Sequence, residues 1–405
     1  MASSRAARPG SSSSAQEKNG SQLRRKFFNL ATGFDMHFFV LLMIVLIVGL
    51  ATLYSASHVY AFNYNDGDSF FYIRKQAIFA ALGLVAMLGV SMVDYHVLHR
   101  FALPLWLVSL GLLGAALVMP SATGIRRWVH FGSISFQPSE IAKFALVLLL
   151  AHYISLNYKK MKKFTTGFVF PILAVVITCG LVVIEPHLSG TLLIAILGFA
   201  MLFIGGTRVW YLGGTILLGF AGVLFMVMVL GYEQDRIAVW LHPLESFANE
   251  ITFADGLSGR DHAWQTVQSL YAIGSGGLLG QGPGNSRQKH LFLPEPQNDF
   301  IFSVFCEEMG LVGAVLVLVL FALLMWRGFK IAMKAPDKFG CMLALGLTLQ
   351  IGIQVAINVA VVSNLLPNTG ISLPFFSYGG TSILMLMAQM GVVLSVSRQS
   401  KMEKL

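Results

Sequence analysis

The chain has 405 residues, of which 56% are hydrophobic and only 12% charged, with a formal net charge of +9, and its mean hydropathy is +0.71. Soluble globular domains carry about 25% charged residues, so a water-soluble fold is excluded. The apolar runs are continuous and do not alternate, which excludes a transmembrane β-barrel as well.

Residues 1–35 are polar and rich in Ser, Arg and Lys, and are predicted to be a disordered tail. The first apolar run, from Met36 to about Ser57, is of full spanning length with no small-residue cleavage pattern after it, so no cleavable signal peptide is expected. Hydropathy then predicts an all-α integral membrane protein of ten helices, near 36–57, 76–94, 101–120, 138–155, 166–184, 189–206, 211–231, 300–326, 339–363 and 379–397. The membrane domain thus covers 36–397, followed by a short tail at 398–405. Connections are short except for one large loop, 232–299, between spans seven and eight. Cys179, Cys306 and Cys341 all fall within apolar runs, which argues against a structural disulfide or a metal cluster.

Lysine and arginine set the orientation. Arg24, Arg25 and Lys26 precede span one, Lys159, Lys160, Lys162 and Lys163 follow span four, Arg327, Lys330, Lys334 and Lys338 lie around the link from eight to nine, and Arg398, Lys401 and Lys404 end the chain. With ten spans all of these fall on one side, which the positive-inside rule makes cytoplasmic, with both termini inside and the long loop outside. The positive charge is thereby accounted for by topology, and nucleic acid is not needed to explain it. Arg126 and Arg127, in the outer loop after span three, and Arg287 and Lys289, in the long outer loop, are the exceptions. Paired cations there suit an anionic ligand at the outer face.

Three constellations could carry chemistry. The first is Gly124-Ile125-Arg126-Arg127-Trp128 followed by Gln137-Pro138-Ser139-Glu140 and Lys143. Pro138 suits the first turn of span four, and Glu140 and Lys143 share a helix face. They are either an ion pair that locks the span into the bundle or a pair lining a substrate site. Trp128 is either an interfacial anchor or a cover for a lipid or sugar.

The second runs from Ser269 to Phe302 and contains the glycine-rich stretch from Gly274 to Gly284. Its register does not fit a nucleotide motif, no Lys-Ser/Thr follows and no βαβ context exists, so the glycines read as a pliable turn. Ser286-Arg287-Gln288-Lys289-His290 then places cations a few residues before Glu295 and Asp299. Asp299 stands where an apolar helix begins, as either a helix cap or, in a low-dielectric rim with cations nearby, an acid–base group.

The third is the stripe Gln350, Gln354 and Asn358, whose amides should bond neighbouring helices. Beyond it, Leu365-Leu366-Pro367-Asn368-Thr369-Gly370 and Leu373-Pro374-Phe375-Phe376-Ser377-Tyr378-Gly379-Gly380-Thr381-Ser382 predict a broken, re-entrant outer segment whose hydroxyls face the same cavity as Asp299.

Together these motifs, with Glu307-Glu308-Met309-Gly310, resemble the SEDS family of bacterial shape, elongation, division and sporulation proteins across roughly 36–397. Ser286-Arg287-Gln288-Lys289 and the basic tail favour the division and sporulation branch over elongation. The resemblance implies a ten-helix peptidoglycan glycosyltransferase that polymerises lipid II into glycan strands at the outer face of the bacterial cytoplasmic membrane, enriched at the division site. It implies Asp299 as the catalytic general base. The substrate-binding set it implies is Arg126, Arg127, Trp128, Gln137, Ser139, Glu140, Lys143, Arg287, Lys289, Glu295, Ser377 and Tyr378. Implied partners are lipid II and the growing strand, a class B penicillin-binding protein, other division membrane proteins and membrane lipids. No cofactor or metal box is evident; a divalent cation, Mg or Mn, would come with the substrate diphosphate. One departure is Glu185-Pro186-His187, where the family usually has an acid at the His187 place.

Other classes stay open at this stage. A lipid II flippase would use the same cavity and cations without needing the carboxylate. A non-catalytic scaffold of the division complex would leave the polar clusters without purpose. A secondary transporter predicts interrupted helices in both halves, and only one interrupted segment is seen.

Overall fold

The structure, a computed structural model, describes residues 33–119, 128–131, 134–185, 188–228, 234–248 and 259–402. Among them eight helices are long and apolar enough to cross a membrane. They are α1 (Met36–Tyr64), α2 (Phe71–Met92), α3 (His96–Val118), α4 (Pro138–Asn157), α5 (Phe170–Ile184), α11 (Ile301–Met333), α12 (Lys338–Val362) and α13 (Gly380–Met402). A π-helical turn, Thr165–Val169, leads into α5. Two further apolar helices, α6 (Leu188–Ile204) and α7 (Val209–Met228), fall where spans six and seven are predicted. Three shorter helices, α8 (Gln234–Leu241), α9 (Pro243–Ala248) and α10 (Gly259–Ser275), occupy the predicted long loop. Apart from one antiparallel hairpin, β1 (Val129–Phe131) with β2 (Ile134–Phe136), the described chain is helical.

Helices α4, α12 and α13 are buried over most of their length and form the inside of the bundle, whereas α2, α3 and α11 turn most of their surface outward. Small residues permit the closest approaches. A Cβ on Gly391 of α13 would come within 2.5 Å of the Met87 carbonyl of α2, and one on Gly49 of α1 within 2.3 Å of the Phe375 carbonyl.

The two ends of the bundle differ in chemistry. At one end Asp35 caps α1 by accepting from the Phe38 N–H at 3.0 Å, and Arg327 Nε of α11 donates to it at 3.0 Å. Burial opposes the Asp35 charge, but Arg327 and the Phe38 N–H outweigh it and hold the carboxyl below its usual range. Asp337 caps α12 at the same end and accepts from the Tyr95 hydroxyl. Lys159, Lys160 and Lys338 belong to this end, with Lys338 Nζ 4.4 Å from the Tyr158 ring centroid. The opposite end holds the hairpin, α8 to α10 and the N-terminus of α11.

The glycine-rich stretch is not the pliable turn that its composition predicts. It inserts into a break in α11 at Gly310, whose φ is 66° and ψ −171°. Across the break the Gln281 and Gly282 N–H groups donate to the Glu307 and Glu308 carbonyls at 3.0 Å each, and the Leu311 and Val312 N–H groups donate to the Gly277 and Leu278 carbonyls at 2.9 and 3.1 Å. Any Cβ at Gly276 or Gly280 would lie 2.1 Å from a carbonyl oxygen of α11. The glycines are there for close backbone approach, and the resulting insert is fixed at both sides.

Candidate active site

A cavity of about 740 Å³ opens where α2, α4, α6, α12, α13 and the segment before α11 converge at the hairpin end. Its walls carry charge. Glu140 and Lys143, one turn apart on α4, form an ion pair of 2.7 Å with both side chains nearly buried. The pair is buried in the bundle and is also part of the cavity wall. Lys75 of α2, Trp128, Gln137, Glu295 and Asp299 line the same space.

Asp299 is not the cap of α11. Phe300 takes the N-cap position without a side-chain hydrogen bond, and the Asn298 amide donates to Glu295 Oε2 at 2.8 Å. The Asp299 side chain borders the large cavity and also a second one of about 280 Å³ beneath α8 and α10. This smaller chamber is lined by the amides and hydroxyls of Gln265, Thr266, Asn364, Asn368 and Thr369, together with Arg236 and Trp240. Gly370 is the other residue common to both. Its φ is +70°, and a Cβ there would lie 3.1 Å from Asp299 Oδ2. Asp299 thus stands between a chamber walled by lysines and carboxylates and a smaller one rich in amides and hydroxyls that also carries Arg236.

The partition is built from the irregular segment 363–379, which reaches down to Gly49 near the middle of α1. Its backbone is satisfied by protein groups, as irregular chain at membrane depth requires. Gln354 donates to the Ser372 carbonyl at 3.0 Å, and Asn358 donates to the carbonyls of Ile371 at 2.7 Å and Asp299 at 2.8 Å. Ser189 of α6 donates to the Thr369 carbonyl at 2.6 Å, and Gln76 of α2 donates to the Ser377 carbonyl at 3.2 Å. The amide stripe of α12 therefore grips the segment that places Asp299, while Gln350 bonds Gln389 of α13 at 3.1 Å.

The structure gathers Trp128, Gln137, Glu140, Lys143, Glu295, Tyr378 and Asp299 around the cavity. Lys289, expected to bind substrate, is instead fully buried in an ion pair of 2.9 Å with Glu308, and also donates to the Gly284 carbonyl at 2.6 Å. The insert into α11 carries it away from Asp299. Arg287 is exposed but is not among the described lining residues, and its main-chain N–H donates to Glu307 at 3.0 Å. Ser139 is buried in the bundle and Ser377 is structural, donating to the Asn298 carbonyl at 2.8 Å and accepting from the Leu373 N–H at 2.7 Å. Thr381 and Ser382 supply the hydroxyls at the cavity instead. Arg126, Arg127 and His187 lie outside the described residues. Lys75 was missed, although Arg74-Lys75 is a basic pair before span two and carries the same out-of-place charge signal as Arg126-Arg127.

Comparison with known proteins decides the family. The family model described as "Cell cycle protein", that of FtsW, RodA and SpoVE, matches residues 35–402. The chain belongs to this family. It is 39% identical over 372 residues to "Stage V sporulation protein E" of Bacillus subtilis, covering 91% of this chain and 98% of that one. It is 37% identical over 375 residues to "Probable peptidoglycan glycosyltransferase FtsW" of a Geobacter species, again covering 91% and 98%. Among solved structures, one described as "Structural coordination of polymerization and crosslinking by a peptidoglycan synthase complex" is similar with a TM-score of 0.72 at 26% identity, covering 92% of this chain and 99% of that one. The rod shape determining protein RodA of Thermus thermophilus is similar with a TM-score of 0.64 at 27% identity, covering 91% and 98%. These relatives agree with the SEDS resemblance of the motifs; one is a sporulation protein by name and the other a probable peptidoglycan glycosyltransferase.

Proposed function

We propose that the protein is a peptidoglycan glycosyltransferase that polymerises lipid II, with Asp299 as general base. The observation that carries this reading is the position of Asp299 between two chambers of different chemistry. Glycosyl transfer from a diphosphate-linked sugar needs cations for the leaving group and a base for an acceptor hydroxyl. The charged chamber, with Lys75 and Lys143, suits the diphosphate of the donor strand. The amide-rich chamber suits the uncharged sugar of the acceptor. In the reaction the acceptor 4-hydroxyl oxygen attacks the donor sugar C1 and its proton passes to Asp299. The C1–oxygen bond to the diphosphate breaks, and the lipid diphosphate leaves with the electron pair. Lys143 gives one donor to Glu140, which leaves its other two for substrate oxygens. Arg127 is retained as a further diphosphate ligand.

No group of three or more His, Cys, Asp or Glu side chains is placed to hold a metal among the described residues. In this reading a divalent cation arrives on the substrate diphosphate and is part of the substrate. The lysine-rich end faces the cytoplasm under the positive-inside rule, which puts both chambers at the outer face of the cytoplasmic membrane. A class B penicillin-binding protein would crosslink the strands made here, and division or sporulation is the process served.

A flippase reading shares the cavity but not the base. The two part in a paired measurement on Asp299→Asn in vesicles, lipid II binding beside glycan formation. Retained binding with no polymer supports catalysis. Normal polymer from this variant would remove Asp299 from the mechanism.

A further inference from the structure

Four tyrosines from three parts of the chain form a continuous file of rings. Tyr378 lines the large cavity. Tyr72 meets it edge-on with centroids 4.8 Å apart, Tyr60 lies 6.2 Å from Tyr72, and Tyr64 stacks on Tyr60 at 4.5 Å. Tyr64 is 65% exposed, so the file begins in the cavity and ends on the open surface. Glu295, also a cavity residue, lies within electrostatic reach of the Tyr60 hydroxyl.

Tyrosines near a membrane boundary ordinarily act as interfacial anchors, each presenting its ring to the headgroups. Two features set this file apart. Its rings pack on one another in a line that runs into the cavity. Its outer members also stand high: α1 has 29 residues, about 43 Å of helix, against a hydrocarbon layer of about 30 Å. A helix that enters at Met36 has left the hydrocarbon before Tyr60 and Tyr64, which share a face one turn apart.

We propose that this file is an exit track for the growing glycan strand. Hexosamine rings present C–H faces that lie against aromatic faces, and their hydroxyls and amides meet phenolic oxygens at the ring edges. A strand whose diphosphate end sits by Lys75 and Lys143 leaves the charged chamber past Tyr378 and along Tyr72, Tyr60 and Tyr64. The track rests on the glycosyltransferase reading and adds strand retention to it. Its loss shortens the product more than it slows the first addition, because a strand that is not held dissociates between additions.

The test is glycan length by gel electrophoresis, using the purified protein with its partner synthase and fluorescent lipid II, for the wild type and for double variants at Tyr60 and Tyr64. Loss of about one ring contact predicts strands about fivefold shorter for Tyr60→Ala/Tyr64→Ala. The first-addition rate, read from disaccharide dimer formation, should fall by a much smaller factor. Tyr60→Phe/Tyr64→Phe should restore most of the length. Tyr60→Leu/Tyr64→Leu keeps the apolar bulk without the ring and should behave like the alanine pair. Wild-type length from the alanine pair, or full rescue by leucine, would overturn the track and leave the rings as membrane anchors. Absence of any polymer from the wild type would overturn the enzymatic reading and the track with it.

Discussion

At the scale of single residues, the proposed mechanism depends on where one carboxylate is held. Gly370 has a left-handed backbone, and a Cβ there would crowd Asp299 Oδ2 at 3.1 Å. Gly370→Ala adds strain and presses on that carboxylate. If Asp299 is the general base, polymerisation should fall by about 10-fold to 100-fold, the upper figure being the scale of loss for a full ångström of misplacement, with lipid II binding largely kept. Lys289 makes the opposite prediction. Removing it leaves Glu308 buried and unpaired, at a cost of about 3–5 kcal/mol in stability. Lys289→Ala should therefore unfold earlier in a thermal melt in detergent, and Lys289→Met combined with Glu308→Gln should recover much of the loss. A Lys289→Ala protein of wild-type stability that fails only to bind lipid II would return Lys289 to the substrate site. Sequence proximity misleads here: Lys289 is ten positions before Asp299 but folds away with the insert. Lys75 is distant in sequence, and the fold brings it to the cavity. No spacing rule reports such tertiary neighbours, although charge on the expected outer side marks Lys75 as it marks Arg126 and Arg127.

At the scale of elements, hydropathy locates the helices because each crosses the hydrocarbon and is covered there by lipid or by other helices, so its side chains are mostly apolar in either place. It does not report breaks within them. The break in α11 is not reported by hydropathy, because Glu307-Glu308-Met309-Gly310 is a short interruption in an otherwise apolar run and its partner segment lies some thirty residues earlier, at Gly276 to Gly282. Gly280→Ala tests the insert directly. Gly280 has φ +80°, and its Cβ would lie 2.1 Å from the Glu308 carbonyl. The melting temperature should fall markedly, and circular dichroism should show loss of order that Gly274→Ala, in open space, does not produce. The polar stripe on α12 was legible as a structural feature. Its purpose, gripping the irregular segment around Gly370, is a tertiary property, because the acceptors are backbone carbonyls that carry no sequence signature.

At the scale of the whole molecule, two chemically distinct ends follow from the distribution of lysine and arginine, and orientation follows from the positive-inside rule. Ten spans with both termini inside predict opposite accessibility for two exposed positions. In a chain whose native cysteines are replaced, Asn285→Cys should react with a membrane-impermeant maleimide on intact cells. Lys162→Cys should react only after permeabilisation. The reverse pattern would place the chambers at the cytoplasmic face and detach them from a substrate delivered outside. Under the proposed function, the orientation with both termini inside would bring the charged chamber, the amide chamber and the tyrosine file to the side where glycan is assembled. The measurement that bears most directly on this account is lipid II polymerisation by the purified protein with a class B penicillin-binding protein, wild type against Asp299→Asn at equal lipid II occupancy. The account predicts glycan strands from the wild type and none from the variant; strands from both would contradict it.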